Sequence, residues 1–302
     1  MSTRAVGLDI GAEQVTAVVL QKRRNQCILR GLGMSMIPLR ASDEDVAEAV
    51  KTALREARAG KQATVCASVG GPTVVVKGVQ LPRVPLPRVL EAVRWNFREH
   101  GLLPSTGAVL DAQVLSTATE GQMDILVVCV PQDLVDRRVR LLTRAGVTPQ
   151  RLDVQPLALL NAIMALHEVG RDETLVLLSL VSEAAFVCVY HAAAGAPLVR
   201  YLPDQHESAA EMLGEIRTAV TYFQSQLAEV STLRFVYCGP KSIFGELRED
   251  LPGLLALWHQ RDDPMLFDPL KRLEGGQRLL SADTSIEGSQ FALAVGLAMG
   301  AL

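Results

Sequence analysis

Apolar residues occur in short runs at the start of the chain, and polar turns separate these runs. Three of the runs predict successive β-strands, at residues 5–10, 14–20 and 27–36. Ser42 precedes a segment, residues 43–59, with acidic residues in its first turn and apolar residues at helical spacing, so we expect a capped helix. A buried strand at residues 64–69 follows and ends at Gly70-Gly71-Pro72. The opening therefore predicts three strands, a helix and a fourth strand.

The same order of elements returns in the second half of the chain. Three apolar runs predict strands at residues 174–179, 184–190 and 196–202. A long helical pattern covers residues 208–230, and a strand pattern covers residues 233–237. Two copies of this order indicate a duplicated α/β unit. The pattern alone also fits a general two-domain α/β enzyme.

A different module lies between the copies. Strand, helix, strand, strand and helix patterns cover residues 74–81, 86–100, 108–117, 124–130 and 132–145. This order predicts a small α+β insert with one face of its sheet covered by helices, and Trp95 is expected in its core. An apolar helix at residues 152–164 should then pack on the first lobe. We expect a first lobe of residues 1–72 and 149–170, an insert of residues 73–148 and a second lobe of residues 171–302.

Composition and charge restrict the class of protein. Of 302 residues, 49% are hydrophobic and 21% are charged, which favours a large packed interior over disorder. The formal net charge is −3, and no run of like charge is longer than Lys22-Arg23-Arg24. Nucleic acid is therefore not expected as a partner, because phosphate binding requires concentrated basic charge. The basic run itself is interpreted as a solvated turn.

The pattern also predicts where the protein resides. The five cysteines are scattered and lie mostly in apolar strand patterns, which favours buried thiols in a reducing compartment over disulfides or metal ligands. The N-terminus enters a strand directly, without a signal-peptide pattern. The final apolar run, residues 291–302, predicts a buried helix and not a membrane anchor. We expect a cytoplasmic protein without a metal site of its own.

One motif in the first hairpin has the chemistry of a phosphate site. In Gly7-Leu8-Asp9-Ile10-Gly11, a glycine at the turn lets backbone N–H groups approach a phosphate. Asp9, at the end of the strand, can hold a hydrated magnesium ion through its waters. The motif resembles the first phosphate loop of the superfamily that contains actin, sugar kinases and heat-shock protein 70. The resemblance implies an α/β, two-lobed actin-like (ribonuclease H-like) ATPase fold.

Within this superfamily, the chain resembles the pilus-assembly protein family PilM and, more distantly, the cell-division protein FtsA. The resemblance covers nearly the whole chain, and the insert falls where those proteins have their extra subdomain (1C, or SHS2-like). The motifs that carry it are Gly7 to Gly11, Val69-Gly70-Gly71, Val79-Gln80-Leu81-Pro82, Val93-Arg94-Trp95, Val109-Leu110-Asp111, Ile125-Leu126-Val127-Val128 with Pro131, Ala145-Gly146-Val147-Thr148-Pro149, Leu152-Asp153-Val154 and Ala294-Val295-Gly296-Leu297-Ala298.

The second phosphate loop departs from the superfamily pattern, which has Asp-x-Gly at the start of the second lobe. Ser179 stands at the position of the acid and Val181 at that of the glycine. Ser182 and Glu183 follow, and Glu183 adds negative charge where a phosphate would lie. We therefore expect this loop to be degenerate, which makes binding of ATP with magnesium doubtful.

The other positions of the nucleotide site follow from the resemblance. Asp9, Gly11 and Ala12 correspond to the first phosphate loop, where Asp9 would act on a magnesium ion through water. Gly239 and Pro240 correspond to the adenosine loop, and an ordinary strand-to-helix turn fits them equally well. The sequence thus predicts a partly retained, vestigial site and no enzymatic activity.

The resemblance implies a scaffold of type IV pilus assembly. Such proteins bind the cytoplasmic N-terminal tail of the inner-membrane protein PilN, near the cleft between the first lobe and the insert, and lie at the membrane through their partners. For this chain, the tail surface is expected at residues 74–117 and their junction with the first lobe. Alternatives are a nucleotide-gated actin-like ATPase and a cytoplasmic component of type II secretion similar to GspL. An FtsA-type membrane tether and a sugar kinase fit less well.

Overall fold

The computed structural model of the chain describes residues 3–24, 26–60, 63–105, 107–117, 121–167, 169–170, 172–180, 184–202, 209–225, 232–241, 245, 263–282 and 286–302. The strands are β1 (Thr3–Ile10), β2 (Gln14–Arg23), β3 (Gln26–Met36), β4 (Thr64–Val69), β5 (Val75–Pro82), β6 (Ala108–Ser116), β7 (Gln122–Pro131), β8 (Arg151–Val154), β9 (Glu173–Ser179), β10 (Phe186–His191), β11 (Leu198–Tyr201), β12 (Thr232–Cys238) and β13 (Met265–Leu266). The helices are α1 (Asp43–Glu56), α2 (Val89–Glu99), α3 (Gln132–Arg144), α4 (Gln155–Leu166), α5 (Ala209–Gln224), α6 (Gly276–Ala282) and α7 (Ala292–Gly300).

Two five-stranded sheets share one topology. The first has the order β3-β2-β1-β4-β8 and the second the order β11-β10-β9-β12-β13. In each sheet the first three strands are antiparallel and the last two are added in parallel. The predicted duplication of an α/β unit is therefore confirmed.

Helix α1 begins as its sequence predicts. The Ser42 hydroxyl accepts a hydrogen bond from the Asp45 N–H at 3.2 Å, and the Asp45 carboxylate accepts one from the Ser42 N–H at 2.8 Å. This reciprocal pair satisfies two donors at the helix start. The helix ends earlier than the predicted residue 59, because Arg58 has a positive φ of 52°.

The main core lies between the two sheets. Helices α4 and α7 fill this space with apolar side chains that pack against both sheets. The backbones come close at two glycines: a methyl group on Gly7 of β1 would overlap the Ala294 carbonyl oxygen, and one on Gly296 would overlap the Ala158 carbonyl oxygen. The buried C-terminal helix expected from the sequence is thus present and joins the lobes.

A third sheet, of order β5-β7-β6, belongs to the insert, which lies between β4 and β8 in the chain. Its core faces α2, from which Val93 and Phe97 are fully buried. Trp95 is 63% exposed on the opposite side of α2, so the prediction that it lies in the core is wrong. Helix α2 covers this face and helix α3 does not, because Leu141 and Leu142 of α3 belong to the core beneath α1.

Four cysteines are buried, Cys27 is partly exposed, and all five are free thiols, as the apolar patterns predicted. Burial raises the pKa of the Cys188 thiol to about 12. Among the described helices, none combines the length and the apolar character that a membrane crossing requires.

Candidate functional site

The first phosphate-loop motif forms the turn between β1 and β2. Asp9 is 2% exposed, and its Oδ1 accepts a hydrogen bond from the Gln155 side-chain nitrogen at 2.9 Å. Gln155 is the first residue of α4, and its side chain lies against Gly70, where a methyl group would overlap the Gln155 Oε1. The carboxylate is therefore positioned by the start of α4.

Two backbone N–H groups of this loop donate hydrogen bonds to other groups of the protein. The Ile10 N–H donates to the Ser68 hydroxyl at 3.2 Å. The Gly11 N–H donates to the Gln14 carbonyl at 2.9 Å and closes the turn. These two N–H groups are thus committed to the fold, whereas a phosphate cradle needs N–H groups that point at the ligand. Ala12, at the tip of the turn, is exposed.

Ser179 ends β9 and is fully buried. It lies opposite Cys238 of β12, and the next residue, Leu180, donates its N–H to the Cys238 carbonyl at 2.9 Å. The remaining positions of the degenerate loop, Val181, Ser182 and Glu183, fall outside the described residues. Ser179 thus presents a neutral hydroxyl where the superfamily pattern has a carboxylate.

The turn after β12 is held by two side chains. The Tyr237 hydroxyl donates to the Pro240 carbonyl at 3.1 Å, and the Ser289 hydroxyl donates to the Gly239 carbonyl at 2.9 Å. A methyl group on Gly239 would overlap the Tyr237 hydroxyl, so glycine is needed for the tyrosine to fold back over the turn. Burial, with smaller contributions from Cys238 and Glu287, raises the pKa of Tyr237. The phenol therefore stays a neutral donor.

These residues do not fit a magnesium nucleotide well. Of the two acid positions, Asp9 carries a carboxylate and Ser179 does not. A magnesium ion bound through its waters needs oxygen acceptors of negative charge, and bound phosphates need free donors. The first loop already uses the Ile10 and Gly11 N–H groups internally.

A groove of about 400 Å³ opens on the outer side of the turn between β1 and β2. Its walls are the β1–β2 turn (residues 10–13), the loop from β3 to α1 (residues 36–43) and the inner face of α3 (residues 134–141). We name it the α3 groove. Met36 is 62% exposed and Leu39 is 95% exposed, so two large apolar side chains in this loop are open to solvent.

The α3 groove contains more positive than negative side chains. Arg40, Arg137 and Arg138 line it, together with Glu13 and Asp43. Arg137 lies 3.7 Å from the Asp43 carboxylate, and Arg138 is 5% exposed. The arrangement offers an apolar surface with cations at its edge.

A second cavity, of about 560 Å³, adjoins the first around the start of α3. The two share Leu134 and Arg137 as lining residues. The second is lined on its other side by the insert, at residues 101–104 and Val75, and by Pro72 and Thr73. Together they form a trough at the junction of the insert and the first lobe.

The predicted site residues fall into two groups. Gly11 and Ala12 line the α3 groove, whereas Ser179 and Gly239 lie near Leu180 in the second lobe. Sequence reasoning missed Gln155 and the groove itself. The run Ile37-Pro38-Leu39, three apolar residues in a loop, was a signal for an exposed binding surface.

Comparison with known proteins places the chain in a family. A profile of the family described as "Type IV pilus assembly protein PilM" matches residues 7–195, more than half of the chain. A search of curated proteins finds no match. Among solved structures, the "PilM-PilN type IV pilus biogenesis complex" is similar with a TM-score of 0.81 and 24% identity over 98% of both chains.

Two further structures are less similar. A Bacteroides thetaiotaomicron protein "with actin-like ATPase fold and unknown function" has a TM-score of 0.51 and 10% identity, over 93% of this chain and 96% of that one. The cytoplasmic domain of EpsL, an inner-membrane component of the type II secretion system of Vibrio cholerae, has a TM-score of 0.48 and 12% identity, over 80% and 83%. The duplicated sheets, the PilM-PilN structure and the Bacteroides protein confirm the expected actin-like fold. The chain belongs to the PilM family of type IV pilus assembly proteins.

Proposed function

We propose that this chain is a cytoplasmic scaffold of the type IV pilus machinery that binds the N-terminal tail of a PilN-like inner-membrane protein in the α3 groove. The observation that carries the proposal is the groove itself, at the junction of first lobe and insert, with Met36 and Leu39 exposed. The similar solved structure is a complex of PilM with PilN, which supports a PilN-like protein as the partner. The protein would lie at the inner membrane through this partner.

The chemistry of the trough suits an extended peptide. Exposed apolar side chains gain free energy when a partner covers them, about 1.5–3 kcal/mol for each large side chain. The adjoining cavities, of about 400 and 560 Å³, are open and continue past Leu134, which fits a segment of several residues more than a compact ligand. Arg40 and Arg137 at the edge can bind backbone carbonyls or a carboxylate of the tail.

A direct test is fluorescence anisotropy with a labelled synthetic peptide of the N-terminal cytoplasmic residues of the PilN protein from the same genome. We expect saturable binding with a Kd of about 10 μM or tighter, because burial of several apolar side chains reaches this range. A peptide of the same composition in scrambled order is the control. Equal binding of both peptides, or of neither, would contradict the proposal.

We propose that the nucleotide site is vestigial and that the protein does not hydrolyse ATP. It is supported by Ser179 in place of an acid and by the internal bonds of the Ile10 and Gly11 N–H groups. Isothermal titration with ATP and magnesium should show no micromolar binding to the natural chain. The double variant Ser179→Asp, Val181→Gly should gain binding, because it restores a magnesium-water acceptor and removes a branched side chain. Micromolar binding to the natural chain would favour the nucleotide-gated alternative.

One observation favours the alternative of a nucleotide-gated scaffold. Gly11 and Ala12 line the α3 groove and belong to the first phosphate loop. If a nucleotide bound there, it would share this turn with the tail, and the two ligands would alter each other's affinity.

A further inference from the structure

A basic surface lies at the end of the first lobe that is remote from the α3 groove. The hairpin between β2 and β3 and the loop that leads into α6 meet there, and Gln26 of the hairpin lines a shallow depression with residues 271–278. The cations of this basic surface are all exposed: Lys22, Arg23, Arg24, Lys271, Arg272 and Arg278.

Backbone contacts fix the two basic segments beside each other. The Leu29 N–H donates to the Glu274 carbonyl at 2.9 Å, and Ile28 forms a parallel bridge with Glu274. A methyl group on Gly275, whose φ is 87°, would lie 3.0 Å from the Leu29 carbonyl oxygen. The fold therefore joins cations from both lobes into one surface, although they are about 250 residues apart in sequence.

Acidic side chains neutralise little of this charge. Among the described residues, Lys271 is the one cation of the six that forms an ion pair, with Asp268 at 3.8 Å. Glu274 is the acid within the depression. Nearby, the pKa of His167 is lowered by burial and by the cations Arg272 and Arg234, as expected beside an electropositive surface. The chain as a whole has a net charge of −3, so this surface is a local excess.

The described residues of this surface include no large exposed apolar side chain, which helps to identify the partner. In the described part of the chain, the large apolar side chains that are exposed all lie outside both basic segments. Specific protein interfaces usually have an apolar centre, and single-stranded nucleic acid usually stacks on exposed aromatic rings. A membrane surface with anionic lipids needs neither, because clustered lysines and arginines bind it by charge alone.

We propose that the basic surface binds the anionic lipid headgroups of a membrane directly. The contact is independent of the tail site and adds a second attachment to the same membrane. Strand β2, of 10 residues, separates the basic surface from the α3 groove by about 30 Å. About nine residues of extended tail cover that distance, so both attachments can form together.

Flotation of the full chain with vesicles tests this proposal. The chain should float with vesicles of phosphatidylcholine and phosphatidylglycerol at low salt, and should not float with pure phosphatidylcholine or at high salt. The variant Arg23→Glu, Arg24→Glu, Lys271→Glu should lower the bound fraction at least about tenfold. The control variant Arg88→Glu, Arg94→Glu, Arg98→Glu changes the net charge equally on exposed positions of the insert and should bind as the natural chain does.

Three results would overturn the proposal. These are no flotation with anionic vesicles, equal losses in both triple variants, or binding of a glutamate-rich peptide without binding of vesicles, which would indicate an acidic protein partner instead. The variant Arg23→Glu, Arg24→Glu, Lys271→Glu should keep natural affinity for the PilN-type tail, so failure here is distinguishable from failure of the proposed function.

Discussion

Replacement of both Met36 and Leu39 by glutamate is expected to weaken binding of the PilN-type tail about 100-fold. The two side chains are 62% and 95% exposed in the free protein, so their replacement should leave the fold intact. Each apolar side chain covered by the tail contributes about 1.5–3 kcal/mol, and 1.4 kcal/mol corresponds to a tenfold change in Kd. Fluorescence anisotropy with the labelled tail measures the effect.

A matched control is available on the insert. Leu86 and Leu90 are 72% and 42% exposed and do not line the α3 groove. The double variant Leu86→Glu, Leu90→Glu makes the same chemical change, and its Kd should stay within about twofold of the natural value. If this control loses affinity and Met36→Glu, Leu39→Glu does not, the tail binds on α2 and not in the α3 groove.

The substitution Gly296→Ala should lower the free energy of unfolding by about 2 kcal/mol. Glycine at this position lets α7 approach α4, and the added methyl group would overlap the Ala158 carbonyl oxygen. Because the clash is with backbone, the overpacking cost lies at the upper end of about 1–3 kcal/mol, and a gain of about 1 kcal/mol in helix propensity leaves a net loss of about 2 kcal/mol. Thermal unfolding should show Tm lower by roughly 4 °C.

Substitution of Gly214 by alanine should raise the free energy of unfolding instead. Gly214 lies in α5, and among the described residues a methyl group there would meet no atom outside its own helix within 4 Å. Only the helix propensity changes, so we expect Gly214→Ala to stabilise the protein by about 1 kcal/mol. If both variants shifted Tm upwards, the close approach of α4 and α7 would not be a feature of the folded protein.

The sequence was sufficient to predict the long strands and helices and insufficient to predict the short strands. The strands of the two hairpins have enough residues for an apolar pattern to be visible. Strand β8 has four residues and β13 has two, and both are defined by parallel pairing with a distant strand. The predicted helix at residues 152–164 therefore began too early, and α4 starts only at Gln155.

Trp95 shows the limit of reading one helix face. Val89, Val93 and Phe97 form the buried face of α2, and Trp95 lies on the opposite side. The apolar character of tryptophan suggested the core, but its position in the helical repeat, two residues after Val93, places it outward.

The candidate site was predictable in its chemistry and not in its shape. The motif around Asp9 and the change at Ser179 are local features of the sequence. The α3 groove brings together residues 10–13, 36–43 and 134–141, which only the tertiary fold places side by side. The proposed lobe boundaries at residues 72, 148 and 170 stay a prediction, and the packing of α3 beneath α1 shows that insert and first lobe share a core.

The most direct measurement is titration of the natural chain with the labelled PilN-type tail, with and without saturating ATP and magnesium. A tail-binding scaffold with a vestigial nucleotide site predicts the same Kd, within about threefold, under both conditions. Binding that requires ATP, or no binding of the tail under either condition, would contradict this account.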